Sequence, residues 1–389
     1  MLLKHRRRVE LVLHSLGLTR NVDKGHWDPT TTLQHLGLTV STTNKGGEYS
    51  IPEDKQKRIR QFAKDLIQEG KRNRRLVPVR RIAAFAGLAQ SVYLALPCAR
   101  MFLRSLHDCV ATKRGWESRV RLSRQAIRDL GWWTLLPQES IGRSLWTSPT
   151  TRTVSSDASG HSWGGTFEGQ WAHGRFDKQW RKEHITVKEM LGAHLVCESF
   201  IKELQGQHVR FLEDNQAVVY MVRSRTSRSP VLMGLIRRFY AMLDLASIKI
   251  SIEYINTKLN TADAPSRFVD RADWTISPGL WATIQEMHGP HTHDCFASDQ
   301  SALLPIYDVK YQSALCKTGD TFSQQWDAPR RNNFCNPGWQ AYVRPYELLE
   351  RVGHFLQQTP AAAATVLCPY RPGRNHSPRG FIHGNELEK

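Results

Sequence analysis

Four acidic residues in the middle of the chain lie where predicted strands and helices begin or end. Asp157 ends the β-prone run TVSSD, and Asp214 closes a second such run, HVRFLED. Glu189 lies in the first turn of a predicted helix, and Asp263 opens a short helical segment. Four carboxylates within a few ångströms of one another cannot all ionise unless cations neutralise them. Oxygen-only ligands favour Mg²⁺ or Mn²⁺, and two such ions about 4 Å apart can hold a phosphodiester for hydrolysis.

The segments between these acids predict the fold that has to position them. RTVSSD, SWGGTFE and QWAHGRF are short β-prone runs joined by turns, which predicts an antiparallel meander. A helix follows over residues 186–204, then a strand over 208–214, two helices, the strand IKISIEYI and a last helical turn. This order predicts an α/β fold with a mixed five-stranded sheet. If the first and fourth strands are neighbours, Asp157 and Asp214 lie side by side, and the two helix-borne acids can reach the same point.

Each acid also has a purely structural interpretation. Asp157 can be a turn residue, because Asp followed by small residues and Gly is common in turns. Thr186 and Glu189 have the spacing of a helix capping box. Asp214 and Asp263 can each cap the helix that follows. The joint placement of all four at one predicted sheet edge favours a shared metal site.

The charge of the chain indicates a polyanionic partner. Its 389 residues are 40% hydrophobic, which is typical of a globular protein, and its formal net charge is +18. Residues 1–150 carry 27 Lys and Arg against 12 Asp and Glu, whereas residues 151–270 carry 16 against 13. We therefore expect the first segment to provide most of the attraction to nucleic acid.

Cysteine usage and hydropathy restrict the cellular setting. The seven cysteines are scattered, without a Cys-x-x-Cys pair, which argues against a disulfide framework or a structural zinc site. No apolar run has the 18 or so residues that span a bilayer. Charges interrupt the apolar N-terminal stretch, so it is predicted to be an amphipathic helix and not a signal peptide. These features predict an intracellular protein of the cytoplasm or nucleus, with no membrane partner.

The phrases SSDASG, WGG, KEMLGAHLV, EDNQAVV and TADAPSR together resemble the ribonuclease H domain of retroelement reverse transcriptases, in the same order and spacing. The DIRS-like branch is the most similar, through EDNQAVV and SRSPVLM. The resemblance implies that Asp157, Glu189, Asp214 and Asp263 are the catalytic, metal-binding set for two Mg²⁺ or Mn²⁺ ions. It further implies hydrolysis of the RNA strand of an RNA–DNA hybrid.

The same resemblance extends upstream and suggests four regions. Residues 1–52 are similar to the end of a polymerase palm with its primer-grip hairpin, and 53–148 to a helical thumb or connection. Independently of the resemblance, the β-prone run 33–42 and a second short strand within 43–52 predict a hairpin, and residues 77–96 predict a helix. Residues 151–270 form the predicted ribonuclease H domain. The tail, 271–389, has a faint likeness to a decayed DNA adenine methyltransferase at Asn336-Pro337-Gly338-Trp339, and we expect its final YRPGRNHSPRG to be disordered.

The sequence departs from the family at two points. It contains no Tyr-x-Asp-Asp motif, so polymerase activity is not expected, and we interpret the upstream part as a truncated remnant. The loop NTKLNTA before Asp263 lacks the histidine that many ribonucleases H carry there, which predicts slower turnover or a substitute group.

Candidate contacts to the bound nucleic acid surround the acids. Arg225 and Arg228 in RSRTSRSP can contact phosphates, although this segment can equally be a solvated loop. Asn215 and Arg267 adjoin two of the acids and can contact the 2′-hydroxyl and phosphate groups.

Two other functions remain open at this point. The chain can be an inactive retroelement relic that only binds nucleic acid. It can also be a DNA nuclease or integrase-like protein, because unrelated activities share this fold.

Overall fold

The structure is a computed structural model, and it describes residues 2–19, 26–43, 46–136, 142–146, 148–268, 275–316, 321, 331–337, 345–359, 362–367, 381–383 and 386–388. The chain divides into two units, one of Met1–Pro149 with Ser224–Met233 and one of Thr150–Arg223 with Gly234–Lys389. None of the described helices has both the length and the hydropathy that a membrane span requires.

The first unit is mainly helical, as its sequence predicts. Its elements are α1 (Leu2–Ser15), β1 (Thr32–His35), β2 (Leu38–Ser41), β3 (Glu48–Ser50), α2 (Glu53–Arg72), β4 (Leu76–Pro78), α3 (Val79–Gln90), α4 (Arg104–Ala111), β5 (Arg119–Arg121), α5 (Arg124–Leu135) and β6 (Gly142–Ser144). The helices α2 to α5 enclose an apolar core that contains Ile59, Phe85 and Trp133. The Trp133 indole donates a 3.1 Å hydrogen bond to the Phe102 carbonyl, so burial leaves its polar atom satisfied.

Two predictions in this unit need correction. The run 33–42, expected to be one strand, reverses at Leu36 and Gly37, so β1, β2 and β3 form a meander that β6 extends. Both turn residues have positive φ, which matches the twist of a two-residue hairpin. The helix expected over 77–96 is only α3, because Leu76–Pro78 pairs with β5 and the chain leaves the helix after Gln90 to form a turn that leads to Pro97.

The second unit begins with the predicted β-β-β-α-β-α-α-β-α order of strands and main helices, to which the structure adds a short helix after the third strand and a break in the helix predicted over 186–204. Its elements are β7 (Arg152–Ala158), β8 (Ser162–Phe167), β9 (Gln170–Arg175), α6 (Lys178–Arg181), α7 (Ile185–Ser199), α8 (Ile201–Leu204), β10 (His208–Glu213), α9 (Gln216–Ser224), α10 (Pro230–Leu245), β11 (Lys249–Tyr254) and α11 (Asp263–Arg267). The sheet order is β11-β10-β7-β8-β9, with β7, β10 and β11 parallel and β8 and β9 antiparallel. This is the ribonuclease H-like mixed sheet that the sequence predicts.

Two adjacent glycines of β8 let a helix approach each face of the sheet. A Cβ on Gly165 would lie 2.3 Å from a Val196 methyl group of α7. A Cβ on Gly164 would lie 2.2 Å from the Ser266 nitrogen of α11. Because successive strand residues point to opposite faces, α7 and α11 pack on opposite sides of β8.

A separate parallel sheet lies in the C-terminal part of the second unit. Its elements are α12 (Pro278–His288), β12 (His293–Ala297), β13 (Tyr307–Val309), β14 (Asn332–Cys335), α13 (Pro345–Gln358) and β15 (Ala363–Val366), followed by a two-stranded hairpin of β16 (Phe381–His383) and β17 (Glu386–Glu388). The strand order is β13-β12-β14-β15, with a small core around Cys335, Leu348 and Val352. Gly338, Trp339 and the run 370–380 lie outside the described residues.

Candidate metal centre

Asp157 and Asp214 lie at the carboxyl ends of two neighbouring parallel strands. In the pairing of β7 with β10, Ser156 is opposite Glu213, so Asp157 and Asp214 are the next residues along each strand. Asp157 is buried, with 5% of its surface exposed, and Asp214 is partly exposed. The expectation that the first and fourth strands are neighbours is therefore confirmed, and it places both carboxylates at one edge of the sheet.

Glu189 reaches the same edge from α7. One carboxylate oxygen from each of Asp157, Glu189 and Asp214 lies within 4.8 Å of the other two. The capping-box interpretation of Glu189 is wrong, because α7 begins earlier than predicted. His184 is the N-cap, and its Nδ1 accepts a 3.2 Å hydrogen bond from the Thr186 nitrogen. Glu189 is consequently the fifth helical residue, in the second turn, and its carboxylate accepts a hydrogen bond from the Ala158 backbone at the end of β7.

The short helix α11 contacts this centre through a serine. The Ser266 hydroxyl donates a hydrogen bond to Asp157 Oδ2, and the Ser266 carbonyl accepts a 2.7 Å hydrogen bond from Ser162 Oγ. His173 Nδ1 lies 2.8 Å from the Pro265 carbonyl. The close approach of α11 to Gly164 makes these contacts possible, so α11 is held against β8 and β9 beside the acids.

Asp263, the fourth predicted acid, opens α11 but is not a member of the group within 4.8 Å. Its Oδ1 accepts a 2.8 Å hydrogen bond from Arg267 Nε and forms an ion pair with Nη2 at 2.7 Å. Its side chain is 38% exposed. The negative charge of Asp263 still contributes to raising the pKa of Asp157, so the two carboxylates interact electrostatically.

Burial and like charge raise the pKa values of the clustered acids. For Asp157 the main cause is burial, which the Ser266 hydrogen bond opposes. For Glu189 burial again dominates, followed by the charges of Glu213, Asp157 and Asp214. Glu189 Oε2 is buried and has no hydrogen-bond partner among the described residues. Burial of a polar atom without a hydrogen-bond partner destabilises the fold. A cation between the carboxylates would give Glu189 Oε2 a partner and would remove the repulsion between the negative charges.

A fifth acid, Glu213, is the last residue of β10, directly before Asp214, and was not predicted. It is fully buried, and its carboxylate accepts hydrogen bonds from Ser156 Oγ at 2.6 Å and from the Asn215 nitrogen at 3.2 Å. Burial is the main cause of its raised pKa. Its signal in the sequence is the period of two in HVRFLE, because Val209, Phe211 and Glu213 all point to the buried side of β10.

The predicted nucleic-acid contacts have different surroundings. Asn215 caps α9, with its Oδ1 accepting hydrogen bonds from the Ala217 and Val218 nitrogens at 3.0 and 3.3 Å. Arg267 pairs with Asp263 and is exposed. Arg225 and Arg228 belong to Ser224–Met233, which groups with the first unit, and Arg228 is exposed.

The donor set fits a hard divalent cation. Three carboxylates offer oxygen ligands only, and within the described chain no His or Cys belongs to this group. Mg²⁺ and Mn²⁺ prefer such ligands, whereas zinc sites generally include nitrogen or sulfur. The acids from β7, α7 and the end of β10 are therefore suited to hold such an ion.

No family model and no curated protein matches this chain. Among solved structures, a foamy viral protease-reverse transcriptase in complex with RNA/DNA hybrid is similar over 64% of this chain and 32% of that chain, with 14% identity and a TM-score of 0.27. The same kind of protein in complex with dsDNA is similar over 59% and 45%, with 15% identity and a TM-score of 0.26. The chain thus spans less than half the length of these retroviral proteins, and the similarity assigns no residue.

Proposed function

We propose that the protein is a metal-dependent ribonuclease H that hydrolyses the RNA strand of RNA–DNA hybrids, and that it derives from a DIRS-like retroelement reverse transcriptase. The observation that carries this proposal is the convergence of Asp157, Glu189 and Asp214 within 4.8 Å at the end of two parallel strands. The sheet order around them is that of the ribonuclease H fold. No Tyr-x-Asp-Asp motif is present, so we do not propose polymerase activity.

Each residue has a distinct part in the proposed reaction. Asp157 and Asp214 would jointly bind the ions. Glu189 would complete one ion site, and Asp263 would complete the other. When bound, two Mg²⁺ or Mn²⁺ ions activate a water molecule and stabilise the leaving oxygen, which yields 3′-hydroxyl and 5′-phosphate ends. The Ser266 hydroxyl orients the Asp157 carboxylate through its hydrogen bond.

The substrate contacts follow from charge and position. Arg267 is exposed beside Asp263, where its guanidinium can contact a phosphate of the bound strand. We assign phosphate contacts to Arg225 and Arg228 as well, and to Asn215 a contact through its amide nitrogen, since its oxygen caps α9. The basic first segment, with 27 Lys and Arg against 12 Asp and Glu in residues 1–150, would attract the duplex.

The decisive experiment is cleavage of an end-labelled RNA–DNA hybrid by the purified chain with Mg²⁺ or Mn²⁺. We expect metal-dependent cleavage that EDTA abolishes and that Asp214→Asn reduces at least a hundredfold. The control is Glu203→Gln, an exposed acid on α8, which should cleave like the parent. Intact hybrid with both ions, or equal cleavage by Asp214→Asn, would refute the proposal.

A second candidate is a relic that binds nucleic acid without cleaving it. The ion pair of Asp263 with Arg267, outside the group of three acids, favours this alternative. It predicts binding that survives EDTA, with no cleavage under either ion. A DNA duplex in the same assay tests the third possibility, because a DNA nuclease or integrase-like protein would cleave it in preference to the hybrid.

A further inference from the structure

Three aromatic rings from separate segments of the second unit meet beside α11. They belong to Trp171 on β9, Phe268 directly after α11 and Tyr311 two residues after β13. The Trp171 and Tyr311 rings are inclined by 28°, with centroids 6.3 Å apart. The Phe268 ring stands edge-on to both, at 5.9 Å from Trp171 and 5.2 Å from Tyr311.

The Trp171 and Tyr311 rings border a cleft of about 420 Å³, which Gln170, Lys310 and Gln312 also line. The Lys310 ammonium lies 5.0 Å from the centroid of the Tyr311 ring. Trp171, Lys310 and Tyr311 are all partly exposed. The cleft therefore combines aromatic faces with one positive charge, a combination that suits a planar ring attached to an anion.

Backbone hydrogen bonds fix the two walls of the cleft against each other. The His173 nitrogen donates to the Gln312 carbonyl at 3.2 Å, and the Gln312 nitrogen donates to the Trp171 carbonyl at 3.2 Å. The segment after β13 thus continues the sheet beyond β9 by one bridge. This pairing holds the ring of Tyr311 beside that of Trp171 before any ligand binds, which lowers the ordering cost of binding.

Trp171, which borders the cleft, lies on the same face of the sheet as Asp157. Asp157 is opposite Gly164, and Gly164 is opposite His173, so these three residues form one row across the sheet and share a face. Trp171 lies two residues from His173 on that face. Strand spacings of ~4.8 Å and a rise of ~3.4 Å per residue place the Cα atoms of Trp171 and Asp157 roughly 12 Å apart. At ~3.4 Å per stacked nucleotide, this distance corresponds to three or four nucleotides.

We propose that this cleft binds an unpaired nucleobase of a single strand that continues from the hybrid held at the metal centre. The inference rests on the proposed function, because it takes the acidic group as the position of the duplex. The base stacks on the Trp171 and Tyr311 rings, and Lys310 contacts the adjoining phosphate. Stacking on aromatic side chains accepts any base, so this subsite recognises strandedness and not sequence.

The test compares two RNA–DNA hybrids that are identical except that one carries a single-stranded oligothymidylate extension of eight nucleotides. Affinities of the full chain are measured by fluorescence anisotropy in EDTA, where cleavage does not interfere. We expect the extended hybrid to bind more tightly than the unextended one. Tyr311→Ala should reduce this gain in affinity about tenfold, as the loss of ~1.4 kcal/mol of base stacking implies. Tyr311→Phe keeps the ring and should retain the gain.

Two further variants separate stacking from general effects. Tyr254→Ala removes an exposed aromatic side chain on β11, at the opposite edge of the sheet, and should retain the gain from the extension. Lys310→Ala should reduce the salt dependence of binding to the extended hybrid by about 0.7 in the slope of log K against log salt. Thermal melting of each variant identifies any that fail to fold.

Equal affinity for the two hybrids, or a gain that Tyr311→Ala and Lys310→Ala both leave intact, would overturn the inference and make the rings a structural anchor only. Such a result leaves the proposed function standing if the parent chain still cleaves hybrid. Conversely, a preference for the extended hybrid without any cleavage of RNA would support the subsite and refute the proposed nuclease function.

Discussion

Ser156 on β7 donates a 2.6 Å hydrogen bond to the buried carboxylate of Glu213 on β10. The two residues are opposite each other in the parallel pairing, one position before Asp157 and Asp214. Glu213 also accepts a hydrogen bond from the Asn215 nitrogen, so one carboxylate joins the end of β7 to the start of α9. This buried pair therefore sets the relative position of Asp157 and Asp214, the two candidate metal ligands at the strand ends.

Ser156→Ala should destabilise the protein by about 1–3 kcal/mol, because it leaves a fully buried carboxylate oxygen without its partner. Urea unfolding measures this loss. The control is Ser199→Ala, whose hydroxyl only bonds the Leu195 carbonyl of its own helix, and it should change stability by less than about 0.5 kcal/mol. Equal stability of Ser156→Ala and the parent would show that the pair is not structural.

Glu189→Gln should stabilise the metal-free protein while removing cleavage. The substitution eliminates a buried carboxyl whose pKa is raised by burial and by the neighbouring charges of Glu213, Asp157 and Asp214. The same change removes an oxygen ligand of the proposed centre. Melting curves should therefore show a higher Tm in EDTA for the variant, together with a smaller rise of Tm on adding Mn²⁺. A parent-like response to Mn²⁺ would argue against Glu189 as a ligand.

Gly164→Ala should disrupt the centre, whereas Gly160→Ala should be tolerated. A Cβ at Gly164 would lie 2.2 Å from the Ser266 nitrogen and 2.4 Å from the Pro265 carbonyl carbon, so α11 would have to move. No atom lies within 4 Å of a Cβ at Gly160. We expect Gly164→Ala to lose about 1–3 kcal/mol of stability and most of its cleavage. Matching behaviour of the two alanine variants in urea unfolding and cleavage would contradict this packing.

The free energy of unfolding should decrease as the pH falls below about 6.5, because His194 is protonated in the unfolded chain before it is protonated in the folded one. Burial, followed by the charge of Arg238, lowers the pKa of His194 to about 4. The unfolded chain therefore binds more protons than the folded one between pH 6.5 and 4, and stability falls as the pH falls through this window. The loss from pH 7 to pH 5 is about 2 kcal/mol for this residue.

The matching measurement is urea unfolding of the parent and His194→Gln at pH 7 and pH 5. His293, whose pKa burial also lowers to about 4, contributes equally to both proteins and cancels in the difference. The variant should lose less stability than the parent between the two pH values. An identical loss in both would mean that His194 does not titrate in this window.

The order of elements and the sheet were predictable because they depend on local pattern. The β-prone runs of β7, β8 and β9 are separated by turns, and the spacing of apolar residues in α7 and α10 is helical. Such patterns reflect side-chain periodicity, which neighbouring residues along the chain already determine. The prediction was less accurate at Leu36 and Gly37, where positive φ angles divide an apolar run into two strands.

The acids themselves were also visible in the sequence, but only the tertiary structure decided how they are used. It brings Asp157, Glu189 and Asp214 together, pairs Asp263 with Arg267, and adds Glu213 and Ser266 as neighbours of the site. It also starts α7 at Ile185, so that Glu189 is not a cap. Residue type and spacing fix which groups are available. Which of them meet depends on the register of β7 with β10, which joins residues 57 positions apart. It also depends on the approach of α11 to Gly164, which joins residues about a hundred positions apart.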